Sequence, residues 1–347
     1  MASHDEVFPS YHAKRAEIDA AWDECEQRFG SLPPPLRGLA TQFLQSIALA
    51  SGSHRNYFSD PLAPPLLYMP IWLFDSLVEQ RQLSPADHSA LIKILAGTIQ
   101  GYLHIRTQDD VLDEPARADA NLLLFGNACS SGMVAAYVEA LGTHSSQFWT
   151  EYDRAVVDFS CLTLAEQHAV KQDNFYEVER FDEHADKVAF ARIPLLAVAA
   201  LASRFDMRPS ICSLVHELGI AYGLVNDVVG WTRDLRAGHR THLLATAGLT
   251  HAELRHLHQI PDDTARTAAG ETLAERLREN LYQGRLLHES LGRALHHHER
   301  ARDTARALGL FGFEQFHIDR TAWLSALDEK IGALTLARVL RQSSRNS

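Results

Sequence analysis

Cysteine is scarce: the 347 residues hold four, Cys25, Cys129, Cys161 and Cys212, far apart and in no paired or metal-type spacing. They read as buried thiols in a reducing compartment rather than as a disulfide framework. Long apolar runs are missing too. The most apolar stretch, Val188 to Ala202, is interrupted by Arg192 and Pro194 and is too short and polar for a membrane span. The first residues carry no basic segment followed by an apolar one, so no signal peptide is expected and a cytoplasmic location is. Basic charge is in deficit, 33 Lys and Arg against 44 Asp and Glu for a net charge of −11, and no basic stripe compensates. That argues against a nucleic-acid partner, and an anionic substrate would need bridging cations to approach. Period-two alternation, internal repeats and low-complexity tracts are also absent, which leaves little room for a sheet or a repeat array.

What is there is helical periodicity. Pro33-Pro34-Pro35 and the segment from Pro61 to Pro70 read as loops between short helices. Ser84-Pro85-Ala86-Asp87 is a helix start, with Pro in the first turn and an acid beside it. The helix it opens runs to about Glu114 and ends at Pro115. Further helices are expected over roughly 119–141, 146–172, 184–204, 209–236, 250–258, 268–307 and 313–341. Pro209-Ser210 opens the fourth of these, and Gly238 closes it. His296-His297-His298 reads as a solvated helix face. The expectation is one all-α domain over 1–347, with 1–35 and 342–347 loosely ordered.

Two acidic clusters stand 117 residues apart (226 − 109) on two of these helices. The first is Asp109-Asp110-Val111-Leu112-Asp113-Glu114. The second lies in Asn226-Asp227-Val228-Val229-Gly230-Trp231-Thr232-Arg233-Asp234. At about 100° per residue, Asp109, Asp110 and Asp113 cover one side of their helix. Asn226, Gly230 and Asp234 form a stripe that Gly219 and Gly223 continue. Interior helical glycines cost roughly 1 kcal/mol each relative to alanine, so something must need the room, and a cavity beside the metal ligands would explain them. Oxygen donors on otherwise apolar or small helix faces suit Mg²⁺, which usually binds a few carboxylates together with substrate phosphates.

At these residues the chain resembles the class I isoprenoid (terpenoid) synthase superfamily. Asp109-Asp110-Val111-Leu112-Asp113 matches its aspartate-rich motif, and Asn226 through Asp234 looks like the second metal motif of bacterial-type terpene cyclases. The resemblance implies a single-domain helical bundle with a central apolar cavity. Asp109, Asp110, Asp113, Asn226 and Asp234 would be ligands for three Mg²⁺ ions, with Mn²⁺ able to substitute. It implies that Arg233, before the final acid, contacts diphosphate. It also implies that Arg180, 46 residues before Asn226 and four after Tyr176, senses it. Lys187 is comparable to a phosphate-reaching lysine of chain-elongating enzymes. The substrate implied is a linear prenyl diphosphate of C15 or C20, ionised to an allylic cation in a dry cavity. Tyr102, Phe125, Phe175, Phe190, Tyr222 and Trp231 are aromatic candidates to line it. A homodimer also fits the superfamily.

The sequence departs from the family in lacking the C-terminal Arg-Tyr pair and in ending the second motif on Asp rather than Glu. Three readings compete with a cyclase. A chain-elongating prenyl diphosphate synthase would carry an Arg-Arg pair where Arg117 stands alone, an N-terminal Gly-Lys-x-Arg signature, and Asp-Asp-x-x-Asp in place of Asn226 to Gly230. A head-to-head condensing synthase would need an aspartate at 230. A catalytically silent helical interaction protein would not need Asp109, Asp110, Asp113, Asn226 and Asp234 intact.

Overall fold

The computed structural model describes residues 8–113, 119–142, 145–171 and 181–345; within them, the side chains of 50, 51, 113, 166–171, 183–186, 237, 258, 263, 339 and 341–345 fall outside the described set. The helices in chain order are α1 (Pro9–His12), α2 (Arg15–Gly30), α3 (Pro34–Ser51), α4 (Tyr68–Glu79) and α5 (His88–Asp113). Next come α6 (Leu122–Leu141), α7 (Ser146–Lys171), α8 (Phe181–His184), α9 (Arg192–Leu201) and α10 (Arg208–Ala237). The series ends with α11 (His242–Thr246), α12 (His251–Gln259), α13 (Asp263–Gln283), α14 (Leu286–Ala307) and α15 (Gly312–Arg345). The described residues contain no strand, as an all-α fold requires.

Local chemistry accounts for the boundaries. Ser84 and Asp87 form a reciprocal cap before α5: the Ser84 hydroxyl accepts from Ala86 N–H at 3.0 Å and the Asp87 carboxylate from Ser84 N–H at 2.8 Å. Gly238, at φ +77°, takes the left-handed conformation that stops α10. The helix expected over 268–307 is instead two, broken after Gln283, where Arg285 adopts φ +59°. Residues 184–204 also divide. Pro194 can only sit in a first turn, so a 3₁₀ stretch over Ala185–Ala191 precedes α9.

Contact density separates two compact units. One comprises Met1–Val157, Ala189–Val215 and Arg302–Asp319; the other comprises Asp158–Val188, His216–Ala301 and Arg320–Ser347. In the first, α5 and α6 approach closely because small residues interlock: a Cβ on Gly97 would lie 3.2 Å from the Ala136 Cβ and 3.3 Å from the Met133 carbonyl. Near the far end of α5, the fully buried Thr107 side chain sits against Gly126, fixing the turn that precedes Asp109. α6 is by length and composition apolar enough to cross a membrane, with 39% of its apolar window buried. In the second unit, Ile220, Leu224, Val228, Trp231 and Leu235 recur at helical spacing on α10 and pack with leucines of α11 to α15.

Three further expectations change. Within 1–35, α1 and α2 cover Pro9–His12 and Arg15–Gly30 and Pro34-Pro35 open α3 rather than lying in a loop, and Tyr11, Ile18, Trp22 and Cys25 are 1% exposed or less. Large aromatic surface must be buried somewhere, and Tyr11 stacks on Tyr68 at 3.8 Å between centroids. Of the cysteines only Cys25 and Cys129 are buried; Cys161 is exposed on α7 and Cys212 half-buried. The histidine run is only partly solvated. His298 shares the apolar stripe of Leu291, Ala294 and Ala301 and is 1% exposed. His297 Nδ1 lies 2.7 Å from the buried Glu217 carboxylate, which Arg300 also binds at 2.7 Å.

Candidate active site

Each cluster is built by its own unit. In the first, the last turn of α5 presents Asp109, half-buried, and Asp110, whose side chain is 33% exposed. Arg106, one turn earlier, donates to Asp110 at 2.9 Å. Burial pulls the Arg106 guanidinium down, but Asp110, the two tyrosines Tyr57 and Tyr102, and Asp109 outweigh it, so its pKa ends above the usual value. Beneath this pair lies an aromatic floor. The Tyr57 and Tyr102 hydroxyls share a 2.6 Å hydrogen bond, and Phe58 meets Tyr102 edge-on at 5.0 Å. Burial raises the Tyr102 phenol well above its ordinary value, with Tyr57 adding to the rise. Asp113 ends the helix, and its side chain lies outside the described residues.

The second cluster differs from its expected arrangement. Asn226 is exposed, whereas Asp234 is 5% and Asp227 8% exposed. Residues seven apart on a helix lie only about 20° apart, so Asp227 and Asp234 share a face more closely than Asn226 and Asp234, eight apart. Asp227, not expected as a site residue, is therefore the carboxylate beside Asp234. It accepts the Leu243 backbone N–H at 3.1 Å, tying α11 back onto α10. Burial pushes its carboxyl up to about 7 against hydrogen bonds from Leu243 and Thr241, and Asp234 adds to the rise. The i, i+7 spacing was the sequence signal for this pair.

The glycine stripe is filled rather than open. At Gly223 an added Cβ would lie 3.1 Å from the Phe181 ring, and at Gly230 it would lie 2.6 Å from Arg233 Nη2. The expectation of a cavity at these two positions gives way to an aromatic ring and a guanidinium. Arg233 binds Asp234 Oδ1 through Nε at 3.0 Å and Nη2 at 2.9 Å.

Next to this cluster, His242 is 5% exposed, stacks near Phe181 at 4.6 Å between centroids, and accepts at Nε2 from Arg293 at 3.0 Å. Burial pulls its imidazole down to about 4; Arg293 adds to this and Asp182 opposes it.

Asp227 and His242 give opposite pH slopes. A carboxyl raised in the folded state contributes most stability below its unfolded value and loses it as pH climbs to about 7. A lowered imidazole contributes fully above its unfolded value near 6.5 and loses this as pH falls toward about 4. The two offset each other in the parent chain. In the metal-free protein Asp227→Asn should therefore be increasingly more stable than the parent as pH rises from 4 to 7, by about 4 kcal/mol at most. Urea unfolding across that range measures it; a difference independent of pH would mean Asp227 titrates normally.

The remaining expected residues divide. Lys187 is half-buried in the 3₁₀ stretch, and Arg180, with Tyr176, lies outside the described residues. Among the aromatic candidates, Phe125 is plain core against Phe29 and Phe43, and Trp231 is core under Arg278 at 5.6 Å. Phe190 edges Tyr152 at 6.5 Å, Arg320 lies over Tyr222 at 4.5 Å, and Phe175 is outside the described residues.

Among the described residues no three carboxylate, histidine or cysteine side chains converge as a metal cage. The donors fit Mg²⁺ nonetheless: they are all hard oxygens, and Mg²⁺ takes one or two carboxylates alongside substrate phosphates. At Asp234 a cation, the Arg233 guanidinium, already stands against the carboxylate.

No protein-family model and no curated protein matches the chain. Solved structures do. The likeness defines an all-α isoprenoid synthase fold. It is found with a polyprenyl synthase from Caulobacter crescentus CB15 complexed with calcium and isoprenyl diphosphate: 14% identity, TM-score 0.63, over 90% of this chain and 98% of that one. A geranylgeranyl pyrophosphate synthase from Corynebacterium glutamicum ATCC 13032 aligns at 15% identity with a TM-score of 0.46, over 90% and 96%. At such identities the likeness speaks for fold.

Proposed function

We propose that the chain is a divalent-metal-dependent enzyme acting on a prenyl diphosphate. The observation that carries this is a pair of carboxylates at the end of α5, Asp109 and Asp110, in a chain with the fold of a polyprenyl synthase. In this reading Asp109, Asp110 and Asp113 hold Mg²⁺ on one cluster, and Asn226 and Asp234 on the other. Mg²⁺, when bound, offsets the charge gathering on the departing diphosphate. Arg233, with Arg180 and Lys187, donates to the diphosphate oxygens, more strongly as the C–O bond breaks, which favours ionisation over ground-state binding. The aromatic floor of Tyr57, Phe58 and Tyr102 excludes water from the neighbourhood of Asp109 and offers faces to positive charge.

The fold likeness supports chain elongation, in which isopentenyl diphosphate captures the allylic cation, ahead of the cyclase that the motifs favour. The cyclase remains as a second reading because Asn226 and Gly230 stand where an elongating enzyme carries aspartates, and Arg117 stands alone. The test is product analysis by mass spectrometry with Mg²⁺ and geranyl, farnesyl or geranylgeranyl diphosphate, with and without isopentenyl diphosphate. A longer prenyl diphosphate formed only with isopentenyl diphosphate selects elongation. A hydrocarbon or alcohol formed without it selects the cyclase. No turnover of any substrate would sink both.

A further inference from the structure

We propose that Arg233 is a latch on the second cluster: it covers Asp234 until a diphosphate arrives, so that divalent cation and diphosphate bind there together. This deepens the prenyl diphosphate reading and rests on it. Arg233 Nε and Nη2 both point at a single carboxylate oxygen, Asp234 Oδ1, at 3.0 and 2.9 Å. The Arg233 side chain is 67% exposed and that of Asp234 7%, so the guanidinium lies on the solvent side of the carboxylate. It can lie there because position 230 has no side chain: a Cβ would come within 2.6 Å of Nη2 and 3.2 Å of Cζ. Gly230 is thus the seat of the latch rather than the wall of a cavity.

The exchange follows from charge and geometry. A diphosphate offers the guanidinium fork several charged oxygens in place of one, and paired N–H donors match that arrangement. Arg233 transferred to diphosphate uncovers Asp234 for a cation that the same diphosphate also binds. A cation arriving alone must expel the guanidinium into water with no new partner. Binding of the two ligands is therefore coupled, and the coupling is reciprocal.

The test is Mn²⁺ binding, followed by the electron paramagnetic resonance of the unbound ion, with and without inorganic pyrophosphate. Asp234→Ala defines the increment due to the second cluster. Gly230→Ala keeps the charge but denies Arg233 its seat: the Cβ would lie 2.6 Å from the flexible end of Arg233, at Nη2, and 3.1 Å from Asp234 Oδ2, a contact that a small side-chain shift relieves. Without pyrophosphate, it is expected to bind Mn²⁺ roughly fivefold more tightly than the parent, the scale of a well-formed ion pair whose guanidinium stands in solvent. With pyrophosphate it should match the parent. Arg233→Lys, which keeps the charge but not the fork, should also bind Mn²⁺ more tightly alone and gain less from pyrophosphate. Unchanged Mn²⁺ affinity in both variants, with the parent still binding Mn²⁺ in the presence of pyrophosphate, would overturn the latch and leave the enzymatic reading standing. No Mn²⁺ bound by any form with pyrophosphate would overturn both.

Discussion

Asp110→Ala is expected to cut magnesium-dependent diphosphate release by about a thousandfold, the scale of losing one group that stabilises developing charge. The fold should not notice. Asp110 is 33% exposed at the end of α5, and it pairs with Arg106, 46% exposed and one turn away, an ion pair of small value to stability. The midpoint of urea unfolding should stay close to that of the parent while the rate collapses. Near-parental turnover would mean that the carboxylates on α5 are not the metal site. A large loss of stability would mean that Asp110 holds the helix end rather than a ligand.

The largest effect on stability is expected at Trp22. Its side chain is 0% exposed, meets His54 edge-on at 5.0 Å and Phe58 at 6.2 Å, and Phe58 in turn supports Tyr102. Trp22→Ala should cost about 3–5 kcal/mol, the range for emptying a large aromatic site that the surroundings cannot refill. Trp22→Phe should cost far less, because the indole Nε1–H is buried with no hydrogen-bond partner among the described residues. Replacing it loses volume but no bond, and removes a desolvated donor. The measurement is denaturant unfolding of the three proteins. Equal losses in the two variants would show that the indole N–H is satisfied after all. The α5 carboxylates should also lose precision when their aromatic floor loosens, so Trp22→Ala should reduce activity even at temperatures where it remains folded.

The fold class was legible because nothing in the chain alternates at period two and because α5 and α10 announce their ends in residue chemistry. Ser84 and Asp87 cap one, and Gly238 stops the other, as read from sequence. The break after Gln283 had a sequence signal in Gly284, the C-cap of α13, although Arg285 rather than the glycine takes the left-handed conformation. Short helices were expected at the N-terminus, but their burial was not, because their aromatic residues look isolated in sequence; only the fold shows Tyr11 stacked on Tyr68. At the site, the helices bearing both clusters were legible, but the burial of Asp227 beside Asp234 was not. Equal i, i+4 steps drew attention to Asn226, Gly230 and Asp234. What decides the geometry is a non-local contact: the chain returns after Gly238 and presents the Leu243 N–H to Asp227. The stripe of small residues likewise predicted space, whereas long side chains from outside the stripe, Phe181 and Arg233, fill it. Periodicity reports which residues share a face and is silent on what arrives to cover that face.

The most direct test of the central claim is pyrophosphate release from farnesyl and geranylgeranyl diphosphate by the whole chain, with isopentenyl diphosphate present, in Mg²⁺ and then in excess EDTA. Release in Mg²⁺, its loss in EDTA and its return when Mg²⁺ is restored are predicted. Release that persists in EDTA, or none in Mg²⁺ from a protein shown to be folded, would contradict a metal-dependent prenyl diphosphate enzyme.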